Sequence, residues 1–572
     1  MLKKIFFIFD ELNKFKNSHD IKLILIFTLI ASFLEIFGLS AIGTFLSALS
    51  SDLNENNILL DTIKKLFSIE SRNELFRIFG YIIIFSFILI NVLNAYIFSF
   101  ITKRSNAYVS FLSTALFQKY LGKNYFFFTK ENLPNLTKNI INETHTVINN
   151  IIFPIFLLIS KVVTTLIIII FLFLYSFKVT SLLFIILSAS YIIIYLFFKS
   201  KLSYLGIKII FENARKYKIV QETLFGIKEI KLFNLKKITI NNLKYSLDKF
   251  YKYRSLSSLI TTLPRYLVEI VIVSMFIVFI LLTFEDKTNN FSTISTLAVF
   301  VVASSRLFPA FQNIYSGISK INNSFPSFNL ILSELSSTKY RDIDKKKNSK
   351  KNLKFEKYII LKNIYFKYPS SENYIFENLN LKIKKNSIFG IKGKSGVGKS
   401  TLADLISGLI VPERGNIVMD KSKLKSNNII SWRNKFSYVP QKVFIFDETI
   451  KNNIILGDKE KNNIKNDNLK QSLKFSQLET FVNSKKLKLD FFITGNGMNI
   501  SGGQRQRIGV ARCLYYDKEI IIFDEATAGL DKTTENNLLK TIMQISNKTI
   551  IIISHNKSII NNCDDFIDLD DQ

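Results

Sequence analysis

Hydrophobic and polar positions divide the chain into two unlike halves. Before residue 320 there are six long apolar stretches, at roughly 21–50, 78–101, 151–177, 180–198, 264–284 and 291–314. Each is long enough to cross about 30 Å of hydrocarbon as a helix. Beyond residue 355 no such stretch recurs. Short apolar runs there predict strands at Ser387–Ile391, Ile520–Glu525 and Thr549–Ser554, and a helix at Ser400–Leu409. Between the halves lies Asp344-Lys345-Lys346-Lys347-Asn348-Ser349-Lys350-Lys351, which has the composition of a linker. The boundaries expected are a helical membrane domain over 1–325, a linker over 326–354 and an α/β domain over 355–572. No internal repeat is visible, so the chain carries one half of each kind.

Charge orients the apolar stretches. The connection 102–150 holds Lys103, Arg104, Lys119, Lys123, Lys130 and Lys138, and 199–263 is richer still in Lys and Arg. The alternate connections are poor in them. By the positive-inside rule the two long basic segments and both termini face the cytoplasm, as expected of a multi-pass protein of the cytoplasmic (inner) membrane. Each basic segment is long enough for two helical extensions joined by a turn. The whole chain carries a formal charge of +31. A nucleic-acid partner is one reading of that charge. The other is Lys/Asn/Ile-rich loops facing anionic lipid, and the six apolar stretches favour it. The expectation is therefore no nucleic acid. The two cysteines, Cys513 and Cys563, lie in no paired or metal-like spacing. The N-terminal MLKKIFFIFDELNKF is cut by Asp10 and Glu11 and reads as an interfacial lead-in.

The second half supplies the chemistry. Gly393-Lys394-Ser395-Gly396-Val397-Gly398-Lys399-Ser400-Thr401 sits between a strand and a helix. A Gly-rich turn there lets backbone N–H groups approach phosphate, and the helix N-terminus adds its positive dipole end. Lys399 is expected on the β- and γ-phosphates and the Ser400 hydroxyl on Mg²⁺. Asp524 closes an apolar strand and is expected on the same Mg²⁺. Glu525 follows as the candidate general base. Between loop and strand lies Ile500-Ser501-Gly502-Gly503-Gln504-Arg505-Gln506-Arg507.

Phosphate loop, S-G-G-Q and Asp-Glu strand together resemble the nucleotide-binding domain of ABC (ATP-binding cassette) proteins. The fold class expected is an α-helical membrane domain of six transmembrane helices fused to an α/β P-loop cassette, with ATP and Mg²⁺ as cofactors. The resemblance implies further roles. Ser501, Gly502, Gly503 and Gln504 would cap an ATP held by a second cassette, hence a homodimer. Tyr368 would stack on adenine; a plain strand tyrosine is the alternative. Gln441 would contact Mg²⁺ and sense the membrane domain, and Asp531 would lie in the loop crossing the dimer interface. His555 would touch the γ-phosphate, and the chain has only three histidines. The exporter layout also implies turns that press on the cassettes, at Phe127–Leu136 and Gln221–Glu229. Departures are Ile500 for Leu, Gly529 for Ala, Asn556 for Arg, and Gly495 where exporters commonly carry an acidic coupling residue.

Cargo clues lie in the first half, where charge at membrane depth is costly and marks candidate sites. These are Glu35, Arg265, Glu269 and Arg306. Arg306 falls roughly 22 Å below the outer face at 1.5 Å per residue. Arg265 and Arg306 would hold a lipid phosphate or pyrophosphate; alternatively Arg265 pairs with Glu269 one turn on. The outer connection 57–68 reads as a short amphipathic helix or as a packed loop. Short patches, among them Ser32-Phe33-Leu34-Glu35, Pro264-Arg265 and Arg306-Leu307-Phe308-Pro309, resemble the bacterial lipid-linked oligosaccharide flippase of protein N-glycosylation. That implies a polyprenyl-pyrophosphate glycan as cargo, although Ile90 and Asn313 stand where further arginines are expected. Export of another lipid, a peptide or a drug is the alternative. A cassette ATPase acting on DNA or the ribosome is the reading from a different class.

Overall fold

The computed structural model describes residues 19–50, 72–283, 290–336, 353–369, 371–459, 464–485, 488–495, 497–526 and 532–571. The possible amphipathic helix at 57–68, most of the linker and the Asp531 loop lie outside these residues. The chain divides into two units: 1–121 with 131–339, and 122–130 with 340–572.

The first unit is helical. Its long elements are α1 (His19–Ser50), α2 (Arg72–Leu121), α5 (Phe153–Tyr175), α6 (Phe177–Phe225), α8 (Lys236–Thr283) and α9 (Asn290–Ser336). α2 has 50 residues. At 1.5 Å per residue that is about 75 Å, more than twice a bilayer's hydrocarbon thickness. The helices therefore continue well beyond their apolar stretches, as the long basic segments predict. Among the described residues four stretches are long and apolar enough to span: Asp20–Phe45, Phe76–Leu121, Leu133–Tyr175 and Phe177–Phe225. The stretches expected at 264–284 and 291–314 fall on α8 and α9.

Short elements break these rods. Tyr125–Lys130 forms α3 and Leu133–Lys138 forms α4, so the expected turn 127–136 straddles two short helices. Gly226 ends α6, and Ile227–Leu232 forms α7, which buries none of its residues. The second expected turn thus sits a few residues later than 221–229. Between α4 and α5 lie π-helical turns at Asn139–Glu143 and Ile148–Ile152. A glycine fixes one crossing: a Cβ on Gly206 of α6 would lie 2.0 Å from the Asn323 carbonyl oxygen of α9. Only glycine lets those backbones meet so closely.

The second unit is an α/β domain. β1 (Tyr358–Phe366), β2 (Phe376–Lys384), β4 (Arg414–Met419) and β5 (Ser422–Lys423) form an antiparallel sheet in the order β2-β1-β4-β5. β3 (Ile388–Lys392), β6 (Phe436–Val439), β7 (Ile520–Asp524), β8 (Thr549–Ile553) and β9 (Asp565–Asp568) form a parallel sheet in the order β6-β7-β8-β3-β9. β7 and β8 are buried at every position, as befits strands covered on both faces. α10 (Lys399–Ser407) follows β3, and α11 (Gly502–Tyr515) precedes β7. α3 belongs to this unit because Phe126 stacks on Phe366 at 5.8 Å and meets Tyr368 edge-on at 5.8 Å.

Candidate functional site

The site gathers at the carboxyl ends of β3, β7 and β8, where open α/β sheets place their ligands. The turn from β3 into α10 takes φ values of +150° at Gly393, +88° at Gly396 and +107° at Gly398. Side chains rarely adopt these values, and a Cβ on Gly398 would also lie 2.6 Å from Ile375. The glycines thus satisfy the turn's geometry and bare its N–H groups. Lys399 lies inside the turn, its ammonium donating to the Gly393 and Lys394 carbonyls at 2.9 Å each. Burial lowers its pKa. The turn is braced from behind by Asp570, which accepts from the Lys394 N–H at 2.8 Å, and by the Lys392–Asp568 ion pair.

Asp524 ends β7 buried. It accepts hydrogen bonds from Ser400 and, at 2.9 Å, from the Tyr438 hydroxyl. Burial raises its pKa. Burial, with Asp524 nearby, also pushes the Asp404 carboxyl up to about 6. Glu525 turns out of the strand at φ +47°. Its Oε1 lies 2.7 Å from His555 Nε2, and Gln441 donates to its Oε2. His555 Nε2 is 3.2 Å from the Lys399 ammonium. Lys399, Ser400, Gln441, Asp524, Glu525 and His555 therefore come together in one place. Tyr368 is half-buried, its hydroxyl 3.0 Å from Thr401 Oγ1. Asp531 lies outside the described residues. The sequence reading did not single out Tyr438 or Asp570, which strand pairing brings in, or Asp404, which lies on α10 itself.

A hydroxyl beside a buried carboxylate is an oxygen donor set that suits Mg²⁺. Among the described residues no three His, Cys, Asp or Glu side chains converge on a metal site. Such an ion would therefore be completed by nucleotide phosphate and water.

Ser501 caps α11 in a reciprocal box: its N–H donates to Gln504 Oε1 at 2.9 Å, and the Gln504 N–H donates to its Oγ at 3.2 Å. Ser501 and Gly502 are exposed. A Cβ on Gly502 would meet nothing within 4 Å. Glycine is a poorer helix former than alanine, and among the described residues no packing contact requires it there. Among the departures, Gly495 has φ +60°, which disfavours the acidic side chain expected there. Asn556 caps the turn after His555, accepting from the Ser558 N–H at 3.0 Å.

In the first unit Glu35 is buried and accepts from Asn94 at 3.4 Å. Lys161 of α5 lies within electrostatic reach of both Glu35 and Arg306. This lysine was hidden in the apolar run 151–177. The Arg306 guanidinium sits 5.1 Å from the Phe87 ring centre. Phe87 also lines an apolar groove of about 920 Å³ between α1, α2 and α9, with Ile42, Ile88 and Val302. Arg265 and Glu269 are both exposed and form no ion pair with each other; Arg265 instead lies within electrostatic reach of Tyr191.

Comparison with known proteins places this geometry. The family described as "ABC transporter transmembrane region" matches residues 21–309, and the family described as "ABC transporter" matches residues 376–528. The chain is 37% identical over 223 residues to the lactococcin-G-processing and transport ATP-binding protein LagD of Lactococcus lactis subsp. lactis, covering 39% of this chain and 31% of that one. It is 34% identical over 211 residues to the ATP-dependent lipid A-core flippase of Escherichia coli (strain K12), covering 37% of this chain and 36% of that one. The matches thus span about a third of these relatives. A solved bacterial Atm1-family ABC exporter with ATP bound has the same fold at TM-score 0.77 and 18% identity, covering 96% of this chain and 92% of that one. With its helical unit and its cassette both matched, the chain belongs to the ABC transporter family.

Proposed function

We propose that the chain hydrolyses ATP to move an amphipathic substrate across the cytoplasmic membrane, working as a homodimer. The observation that carries the ATPase reading is Glu525, held between His555 and Gln441 beside Asp524 and Lys399. In this reading the loop N–H groups and Lys399 bind the phosphates, and Thr401 and Tyr368 border the adenine side. Ser400, Asp524 and Gln441 hold Mg²⁺, which supplies charge neutralisation on the phosphates. Glu525 accepts the proton of the attacking water, and His555 orients Glu525 and faces the γ-phosphate. Ser501, Gly502 and Gly503 cap the ATP of the second copy, and the unexplained glycine at 502 supports that closure. Asp531 lies in a second segment, the loop that crosses the dimer interface. Alternating access follows as closure of the cassettes turns the membrane cavity outward and hydrolysis resets it.

For the cargo we infer a lipid carrying phosphate, with a polyprenyl-pyrophosphate-linked oligosaccharide as the first candidate. Arg306 and Lys161 offer two cations at membrane depth, and the apolar groove beside Phe87 suits an acyl or prenyl chain. Glu35, Arg265 and Glu269 complete the candidate set. The likeness to a lipid A-core flippase and a lactococcin transporter favours, as the second reading, export of another lipid or of a peptide. The test is ATP-dependent translocation in proteoliposomes with Glu525→Gln as control. Flipping of the lipid-linked glycan that needs Glu525 supports the first reading. Glu525-dependent ATPase with no glycan flipping rejects that cargo in favour of the second.

A further inference from the structure

We propose that the helical extensions of the first unit carry a separate binding pocket for a phosphorylated sugar. A polar cavity of about 330 Å³ lies where α6, α8, α9 and the π-turn segment meet. Its volume falls at the small end of the roughly 300–1,000 Å³ typical of ligand pockets. It shares no lining residue with either site described above.

The lining is chemically one-sided. Lys216 of α6 and Arg254 of α8 both face the cavity. Among the described residues neither is paired with a carboxylate. Lys216 instead lies 3.9 Å from the Phe250 ring centre. The acidic residue on the wall, Glu143, is already neutralised by Lys138 at 3.5 Å, and both are buried. The cavity thus holds two uncompensated positive charges, a setting that draws phosphate, which arginine grips bidentately.

The remaining walls suit hydroxyl groups. Asn142, Asn213 and Asn323 present carboxamides, which both donate and accept. Sugar hydroxyls can exchange hydrogen bonds with these carboxamides and with Ser324 and Ser327 while the phosphate meets Lys216 and Arg254. The backbone points the same way. π-Helical turns are rare and gather at functional sites, and the two here bracket this wall, with Asn142 in the first.

The chemistry is the same whether the phosphate is free or attached to a lipid. The test therefore uses the full-length protein in lipid nanodiscs, with saturating non-hydrolysable ATP analogue and Mg²⁺ to occupy the cassette. Binding of glucose 1-phosphate and of polyprenyl-phosphate-glucose is measured by thermal shift and by titration, with glucose as the neutral control. The expected result is saturable binding that requires the phosphate. It should weaken at least roughly tenfold in the double variant Lys216→Gln/Arg254→Gln, the scale of one lost charge-assisted contact. The double variant Lys216→Arg/Arg254→Lys keeps both charges and should keep binding, which separates recognition from misfolding. Binding of the soluble probe identifies a free metabolite as the source, and binding of the lipid probe alone identifies a lipid headgroup. Binding of neither probe, or equal binding in the charge-removed variant, overturns the pocket. Because the readout is binding and not transport, failure here leaves the exporter reading untouched, and the converse also holds.

Discussion

The His555 imidazole lies 2.7 Å from the Glu525 carboxylate, and its same nitrogen lies 3.2 Å from the Lys399 ammonium. One ring therefore joins the end of β8 to the end of β7 and to the phosphate loop. A base held this way cannot swing without breaking its contact to the ring that touches Lys399. Glu525→Gln keeps the shape and removes the proton acceptor. Its steady-state ATPase should fall roughly 10²- to 10⁴-fold, the usual worth of general base catalysis, while ATP binding persists. Phosphate release and fluorescent-nucleotide binding on the same preparation check both. Near-normal hydrolysis in the variant would reject Glu525 as the base.

Gly398 takes φ +107°, and an added Cβ would lie 2.6 Å from Ile375. Gly398→Ala should strain the loop by about 1–3 kcal/mol and weaken nucleotide binding. Gly457→Ala is the control, since a Cβ there meets nothing within 4 Å. Titration with a fluorescent ATP analogue compares them.

Asp404 has a carboxyl pushed up to about 6, first by burial and then by Asp524. A carboxyl raised in the fold binds its proton more tightly folded than unfolded. Its cost is absent near pH 4, grows as pH rises through about 6, and is constant above. Asp404→Asn should therefore unfold at a higher temperature than the wild type at pH 7.5. The gap should close toward pH 4. Thermal unfolding in EDTA across that range checks the trend, and a gap independent of pH would contradict it.

Lys138 and Glu143 form an ion pair with 4% and 3% side-chain exposure. Removing one partner from such a pair costs about 3–5 kcal/mol, whereas replacing both with apolar groups is often neutral. Lys138→Met should lower the unfolding temperature in detergent more than Lys138→Met/Glu143→Leu does.

The Arg306 guanidinium lies 5.1 Å from the ring centre of Phe87, a groove residue, with Lys161 within electrostatic reach. Arg306→Ala and Lys161→Met should each slow translocation of a phosphorylated lipid, measured by headgroup accessibility in proteoliposomes. Unchanged rates in both would remove the pair from the substrate path.

The cassette was largely legible in the sequence because its chemistry is local. Gly393 to Thr401 is one turn, Asp524 and Glu525 end one strand, and the motif order matches the fold. The parts not read depend on distant partners. Asp570 braces Lys394 only because β9 pairs with β3. Tyr438 reaches Asp524 from the neighbouring strand β6, and Asp404 from the helix α10. In the helical unit long apolar runs announced the helices but not their interruptions. Neither π turn has a sequence signature, and Gly226 ends a helix that its neighbours would continue. Phe126 sits in Tyr125-Phe126-Phe127-Phe128, an aromatic run whose docking on Phe366 and Tyr368 cannot be told from membrane burial by composition. Lys161 was passed over because one lysine scarcely dents the hydropathy around it. Asp531 and residues 57–68 lie outside the described residues.

The missing side chain at Gly206 has a mechanical meaning. With the Asn323 carbonyl seated where a Cβ would otherwise stand, α6 and α9 are keyed together at a notch. Sliding one rod along the other by a residue would drive a side chain into that oxygen, whereas rocking about the notch leaves it filled. The notch thus opposes ratcheting of the pair more than it opposes pivoting. A single absent methyl group thus weighs one of the two motions against the other.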